Sequence, residues 1–161
     1  MNALHMRRLL ILSCSKRKRR DAGLLPAVER YDGPPFRVLR KFLRESPGGA
    51  RDLDILVLSA EFGLIPADRA IPLYDRRMSA GQASRLSGQA SAGLREQYAA
   101  AHHRSALVMA GRDYLSCLDR PRGTLRQLPD VCVSTGTPGQ RLSQLRDWLH
   151  SGLLAPETRP T

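Results

Sequence analysis

Leu9-Leu10-Ile11-Leu12-Ser13-Cys14-Ser15-Lys16-Arg17-Lys18 is the stretch whose reading decides the fold. Its first part is an unbroken apolar run. A thiol, hydroxyls and positive charges then follow within a few residues. Apolar runs without alternation are typical of strands buried on both faces, as in parallel sheets covered by helices. In open α/β sheets, ligands bind just beyond the carboxyl ends of the strands. The polar half of the stretch therefore falls where a site is expected. A thiol beside Lys and Arg is in a setting where cysteines become nucleophiles. The plain alternative is a small core cysteine followed by a solvated basic turn.

Working outward, the same pattern recurs three times. Apolar runs at 54–59, 105–110 and 129–134 predict further buried strands, and Arg8–Ser13 is the first. Between them lie segments of helical character. Phe36, Leu39, Phe42 and Leu43 recur at helical spacing with Arg and Lys between them, which predicts a short amphipathic helix with a cationic face over 36–44. Ser46-Pro-Gly-Gly49 breaks it. An Ala-, Gln- and Arg-rich stretch predicts a long helix over 79–101. A short helix begins near Tyr114 and a last one covers 140–150. Residues 60–78 contain Pro66 and Pro72 and are predicted to form a long connection with little secondary structure, a kind of loop that often carries function. Strands alternating with helices predict a single-domain three-layer α/β sandwich with a mainly parallel sheet of four to five strands, spanning residues 1–154. The tail, 155–161, is predicted to be disordered.

The chain has 161 residues, 26 Lys+Arg against 15 Asp+Glu, and a formal charge of +11. That balance favours an anionic partner: nucleic acid, with DNA ahead of RNA, or a phosphorylated nucleoside. Three cysteines, Cys14, Cys117 and Cys132, form neither an even set nor a CxxC pair, which argues for a reducing cytoplasm rather than a disulfide framework or zinc site. The apolar stretch at the N-terminus is too short for a signal or membrane segment. No cofactor motif is present. His102-His103 lacks partners at ligand spacing, so no metal is expected, and the pair is placed at a helix C-terminus, where it would meet terminal carbonyls. Trp148 is assigned to the core.

Each strand end is followed by small or polar residues, and in a parallel sheet these ends converge on one edge. The first supplies Ser13, Cys14, Ser15 and Lys16. The second supplies Ser59, Glu61 and Gly63. The third supplies Gly111 and Arg112, followed by Asp113 and Tyr114, and the fourth leads into Thr135-Gly136-Thr137-Pro138-Gly139. Cys14, Glu61 and Lys16 are the candidate catalytic residues. Glu61 follows a buried strand, where desolvation would favour acid/base work and nearby cations would oppose it. Gly63 would allow a tight turn or a close backbone approach to a ligand. Tyr74 and Asp75, at the end of the long loop, would stack on a base or accept from its edge, with Asp75 or Ser79 as competing helix caps. Tyr31 is assigned a similar contact. Lys18, Thr135, Gly136 and Thr137 are the candidate phosphate contacts, the last three because helix N-termini present free N–H groups. The Gly-Lys-Ser/Thr ending of a P-loop is absent, so a simple helix cap competes with that reading.

Three groups of residues carry a family resemblance. They are the Cys14-Ser15-Lys16-x-Lys18 strand end, Tyr31-x-Gly33, and Leu58-Ser59-Ala60-Glu61-Phe62-Gly63-Leu64-Ile65 with Pro72-x-Tyr74-Asp75-x-x-Met78. Together they resemble a family of small uncharacterised bacterial proteins. The Ser-Ala-x-x-Gly-Leu…Pro-x-Tyr segment is similar to the YaaA peroxide-stress family. The strand end is similar to the Cys-Ser-x-x-Lys motif of archaeosine synthase, which acts on a 7-deazapurine base in tRNA. The resemblance covers about two thirds of the chain, which has Asp75-Arg76 where the YaaA family has Arg-Leu. It implies an α/β domain associated with DNA or modified nucleobases.

Two functions compete at this point. One is an enzyme that cleaves or exchanges an N-glycosidic bond of a nucleobase or nucleoside, in nucleic-acid repair or modification. There Glu61 would be base or nucleophile, Cys14 or Lys16 would meet the base, and Tyr74 and Asp75 would position it. The other is a non-catalytic DNA-binding protein of oxidative-stress protection, gripping phosphates through 16–20 and the cationic helix. A nucleotide-metabolite enzyme without a polymer substrate is a third, weaker option.

Overall fold

A computed structural model describes residues 7–101, 103–119, 125 and 130–151. The chain runs β1 (Arg8–Ser13), β2 (Leu25–Pro26), α1 (Ala27–Arg30), α2 (Pro34–Glu45), α3 (Pro47–Ala50), β3 (Leu53–Ser59), β4 (Gly63–Pro66), β5 (Ala70–Ile71), α4 (Ala80–Ala101), β6 (Ser105–Met109), α5 (Arg112–Asp119), β7 (Val131–Val133) and α6 (Pro138–Ser151). Five strands form one sheet in the order β4-β3-β1-β6-β7. The β1, β3, β6 and β7 strands are parallel, and β4 is an antiparallel edge.

Why β1 is central follows from its composition. Leu9 to Leu12 are all at most 1% exposed, so both faces of the strand must be covered. Alternate residues point to opposite faces. Leu10 and Leu12 pack with Phe36, Leu39 and Phe42 of α2 and Leu145 and Leu149 of α6. Leu9 and Ile11 pack with Ala83, Ala90 and Leu94 of α4 and Cys117 and Leu118 of α5. The result is the expected three-layer sandwich. Its outer layer on one side ends in a buried cation: Arg8 donates to the carbonyls of Trp148 (2.5 Å) and Leu149 (3.0 Å) near the end of α6 and lies 4.6 Å from the Trp148 ring. Trp148 is thus half-buried, packed against the core as expected and covering Arg8.

From β1 the chain first crosses to β3 on one side and later returns to β6 on the other. Between β1 and β6 the winding reverses, and this is the crevice where open α/β sheets place ligands.

The predicted loop 60–78 is more ordered than its prolines suggest. Its first part turns back as β4, pairing Ser59 with Gly63 and Leu56 with Pro66. Pro66 closes that pairing at the sheet edge, where its missing N–H is tolerated. Gln89 of α4 accepts from the Leu64 N–H and donates to the Leu64 carbonyl, covering the edge backbone. Ala70–Ile71 pairs with Leu25–Pro26 as a two-stranded ribbon. In the sequence β2 lies within the short apolar patch Leu24-Leu25-Pro26-Ala27-Val28, too short for periodicity to mark a strand. The predicted tail lies outside the described residues.

Candidate functional site at the carboxyl edge of the sheet

The site is built from strand ends. The Cys14 N–H donates to the Leu58 carbonyl at 2.9 Å, which extends the β1–β3 ladder one residue past the strand. Its thiol then meets two other strand ends. The Ala60 N–H, just after β3, donates to Sγ at 3.4 Å, and the Tyr114 hydroxyl, in the first turn after β6, lies 3.1 Å away. One sulfur atom therefore joins three converging strands at the switch point.

A cavity of about 230 Å³ opens on that sulfur, lined by Cys14, Ser15, Lys16, Lys18, Asp75, Arg76, Arg77, Met78 and Tyr114. A second, of about 520 Å³, is lined by Lys16, Lys18, Arg20, Leu73, Tyr74 and Asp75. They share Lys16, Lys18 and Asp75. Five cations and one carboxylate thus line the two cavities together with a thiol and two phenols. Among the described residues, no ion pair or hydrogen bond engages the Asp75 carboxylate. The helix cap falls to Ser79, whose Oγ accepts the Gln82 N–H at 3.1 Å, and Asp75 is left to face the cleft.

Local contacts hold the cationic loop after β1. Ser15 Oγ donates to the Arg17 carbonyl (2.6 Å) and accepts the Gly33 N–H (3.1 Å). Gly33 is needed for that approach, since a Cβ there would stand 2.7 Å from Ser15 Cβ. Further along, Arg30 is fully buried and donates to the carbonyls of Arg19, Asp21 and Gly23. A buried guanidinium in this role is an internal clamp, not a ligand contact.

Several predicted contacts prove to be supports. Tyr31 is fully buried, and its hydroxyl pairs with that of Tyr74 at 2.6 Å, so it cannot touch a substrate. The Tyr74 hydroxyl is also within 2.9 Å of Ser59 Oγ, and the Lys18 ammonium lies 4.5 Å from the Tyr74 ring. Tyr74 therefore presents a face already covered by a cation. Ser59 is buried and accepts the N–H groups of Glu61 and Phe62, which shapes the β3–β4 turn. Gly63 completes that turn in the left-handed region (φ +73°), where a Cβ would strike Gln89; close packing, not ligand approach, requires it. Burial lifts these phenols: Tyr31 is pushed up to about 12, with hydrogen bonds from Ser59 and Tyr74 opposing. Tyr74 and Tyr114 are raised further by burial and by the facing Cys14.

Glu61 is not the desolvated acid that its position after a strand suggested. Its carboxylate meets Arg76 at 2.9 Å, with both side chains partly open to water. It anchors one of the cavity arginines. Ser13, Gly111 and Arg112 lie outside both cavities: Ser13 pairs with Leu58 in the sheet, and the Gly111 carbonyl accepts the Leu115 N–H at the start of α5.

The predicted anion cradle before α6 is a capping box. Gln140 Oε1 accepts the Thr137 N–H (2.8 Å), and Thr137 Oγ1 accepts the Gln140 N–H (3.3 Å). Gln144 takes the Thr135 N–H and donates to its carbonyl, while the Gly136 carbonyl accepts from Arg141. The Thr135 and Thr137 donors are therefore spent internally.

The basic surface is likewise less free than the charge count implies. Asp32 gathers Arg40 (2.6 Å), Arg37 (3.0 Å) and Arg17 (3.5 Å). Hydrogen bonds from Arg37 and then Arg40 hold its carboxyl down to about 2. Two arginines of the supposed cationic face of α2 are thus neutralised. At the opposite edge of the sheet, His103 is buried and binds Asp54 through Nε2 at 2.8 Å, alongside Arg7 at 2.6 Å. It belongs to an ion-pair cluster rather than to a helix terminus; His102 lies outside the described residues. Among the described residues, no cluster of His, Cys, Asp or Glu could hold a metal, and no helix is long and apolar enough to cross a membrane.

Leu73, Arg76 and Arg77 are the cavity residues to which motif reading gave no role; Arg20 entered it only within the basic run 16–20, Met78 only within the resemblance motif and Tyr114 only at the third strand end. The signal available was positional: Arg76-Arg77-Met78 follows Tyr74-Asp75 directly, and Tyr114 closes the junction after the third strand.

A family of unknown function, DUF6884, matches residues 9–147, from the start of the central strand into the last helix. Neither the curated proteins nor the solved structures contain a match to the chain.

Proposed function

The chain belongs to that family of unknown function, and we propose that it is an enzyme acting on a nucleobase or nucleoside, free or within nucleic acid, at the N-glycosidic bond. One observation carries the reading. The Cys14 thiol stands at the switch point of the sheet, beside a cleft lined by five cations and by the Asp75 carboxylate, which has no ion-pair partner among the described residues. Cations suit the phosphates of a nucleotide. A carboxylate facing the cleft suits the positive charge that develops at the anomeric carbon as the base departs. Lys16, lining both cavities, can give a proton to the departing nitrogen. Cys14 and Tyr114, which line the same cavity, would meet the base. Asp75 therefore takes the carboxylate role first assigned to Glu61, and Glu61 positions Arg76. A duplex substrate would have to be flipped out to reach the thiol.

The competing reading is a non-catalytic DNA-binding protein, favoured by the clustering of Lys16, Lys18, Arg20, Arg76 and Arg77 on one rim. Mass spectrometry of bases released or altered after incubation with DNA and tRNA carrying uracil, oxidised and deazapurine bases tests the two. The enzyme reading expects a product from the wild type and a loss of at least about 100-fold in Cys14→Ser or Asp75→Asn. No product from any substrate, with binding that weakens steeply with salt, would favour the binding protein.

A further inference from the structure

The cleft has two compartments that share Lys16, Lys18 and Asp75 and differ in the residues each adds. The outer one, about 520 Å³, has Lys16, Lys18 and Arg20 on its rim and Leu73 and Tyr74 beside them. The inner one, about 230 Å³, adds Arg77 and the Glu61-bound Arg76 to the shared Lys16 and Lys18, and brings the Cys14 thiol, the Tyr114 phenol and the Met78 thioether into its lining. We infer that this is a two-part nucleotide site: a phosphate sits in the outer compartment and the base in the inner one. The inference rests on the proposed base-acting function and names its substrate unit, a nucleoside carrying a 5′-phosphate.

The physical grounds are as follows. Phosphate recognition needs several donors that carry charge and are free to turn toward the anion. Lys16, Lys18 and Arg20 meet this need, because among the described residues no carboxylate pairs with any of them. Their neighbours behave otherwise: Arg17 is drawn to Asp32 and Arg19 to Asp21. Alternate residues of the loop therefore face two ways, with 16, 18 and 20 lining the cleft and 17 and 19 turned to Asp32 and Asp21. Such sorting of five consecutive cations is what a directed anion site requires and a merely solvated basic run does not. In the inner compartment, a polarisable thioether and a phenol offer flat, partly apolar contact to a heterocycle. Asp75, shared by both, lies where a sugar would join the two parts. Together the compartments fall within the usual span of small-molecule sites, roughly 300–1,000 Å³.

Calorimetric titration of the full chain with inorganic phosphate, a set of purine and pyrimidine nucleosides, their 5′-monophosphates and a short single-stranded oligonucleotide tests the inference. The expected result is that one or more monophosphates bind at least about tenfold tighter than the matching nucleoside or inorganic phosphate. Arg20→Ala should remove most of that margin and leave nucleoside affinity unchanged. Met78→Ala should weaken nucleoside and monophosphate alike and leave phosphate binding alone. An oligonucleotide that binds tighter than the monophosphate, with the same dependence on Arg20, identifies the unit as part of a polymer; weaker binding identifies a free nucleotide. Equal affinity for nucleoside and monophosphate, no response to Arg20→Ala, or no binding by any probe overturns the two-part site. Divided binding without turnover would leave this inference standing and remove the enzyme reading. Turnover of substrates with no preference for phosphate would do the reverse.

Discussion

At the residue scale, the cleft depends on hydroxyl groups held behind its wall. Tyr31, Tyr74 and Ser59 tie the strand ends together through their hydroxyls, and burial makes ionisation of the two tyrosines costly. Tyr31 ionises at about 12 when folded, against about 10 in an unfolded chain. The folded state thus holds its proton more tightly. Its contribution to stability is complete below pH 10 and is lost as pH rises from 10 through 12. Denaturant titrations at stepped pH should show a stability plateau to about pH 9.5 and a fall above pH 10. In Tyr31→Phe the fall should be shallower, and the plateau lower by about 1–2 kcal/mol for the lost hydrogen bond. A fall that is unchanged in this variant would mean that other groups govern alkaline unfolding. These residues also show what sequence can and cannot say. Tyr31 and Tyr74 were legible as part of the site's neighbourhood. Whether a tyrosine faces solvent or core depends on contacts 43 residues apart along the chain, and no local pattern encodes that.

At the element scale, the loop after β1 is set by its approach to the start of α2. Gly33 admits Ser15 where a Cβ would collide. Gly88, midway along α4, has open space around the position of an added Cβ. The two positions should respond oppositely to the same change. Gly33→Ala is expected to destabilise the protein by about 1–3 kcal/mol through overpacking and to weaken nucleotide binding with it, because the loop must shift. Gly88→Ala is expected to stabilise by about 0.5–1 kcal/mol, since glycine in a helix interior is entropically unfavourable. Thermal denaturation of both variants is the check, and the same sign for both would contradict the packing described here. The elements themselves were well marked in the sequence: β1 is found where its apolar run placed it, and β3, α4 and α6 lie within a few residues of their predicted limits. The short pieces were not. β4 contains a proline and β2 is two residues long; both exist because a partner strand supplies the hydrogen bonds, and partnership is absent from a local reading. At the start of α6, Thr137-Pro-Gly-Gln140 carries the capping-box spacing, and of the two readings open in the sequence, anion cradle and helix cap, the hydrogen bonds are those of the cap.

At the scale of the whole molecule, topology does what no single motif could. Four parallel strands bring Cys14, Ala60, Tyr114 and the loop from Tyr74 to Met78 to one edge, and the reversal between β1 and β6 opens the crevice there. The net charge of +11 is not spread evenly over function. Asp32 absorbs three arginines and Glu61 a fourth, while Lys16, Lys18, Arg20 and Arg77 remain directed into the cleft without a carboxylate partner among the described residues. On the proposed function the ligand binds at this edge, against Cys14. Competitive thiol alkylation, followed residue by residue by mass spectrometry, measures it most directly. Cys132 is exposed on an edge strand away from the cleft and serves as the internal reference, and Cys117 is buried with its thiol pushed up to about 11. With nucleoside monophosphate or oligonucleotide present, modification of Cys14 is expected to slow at least about tenfold while Cys132 reacts at an unchanged rate. Equal rates at Cys14 with and without these ligands, under conditions where they bind, would contradict the placement of the site.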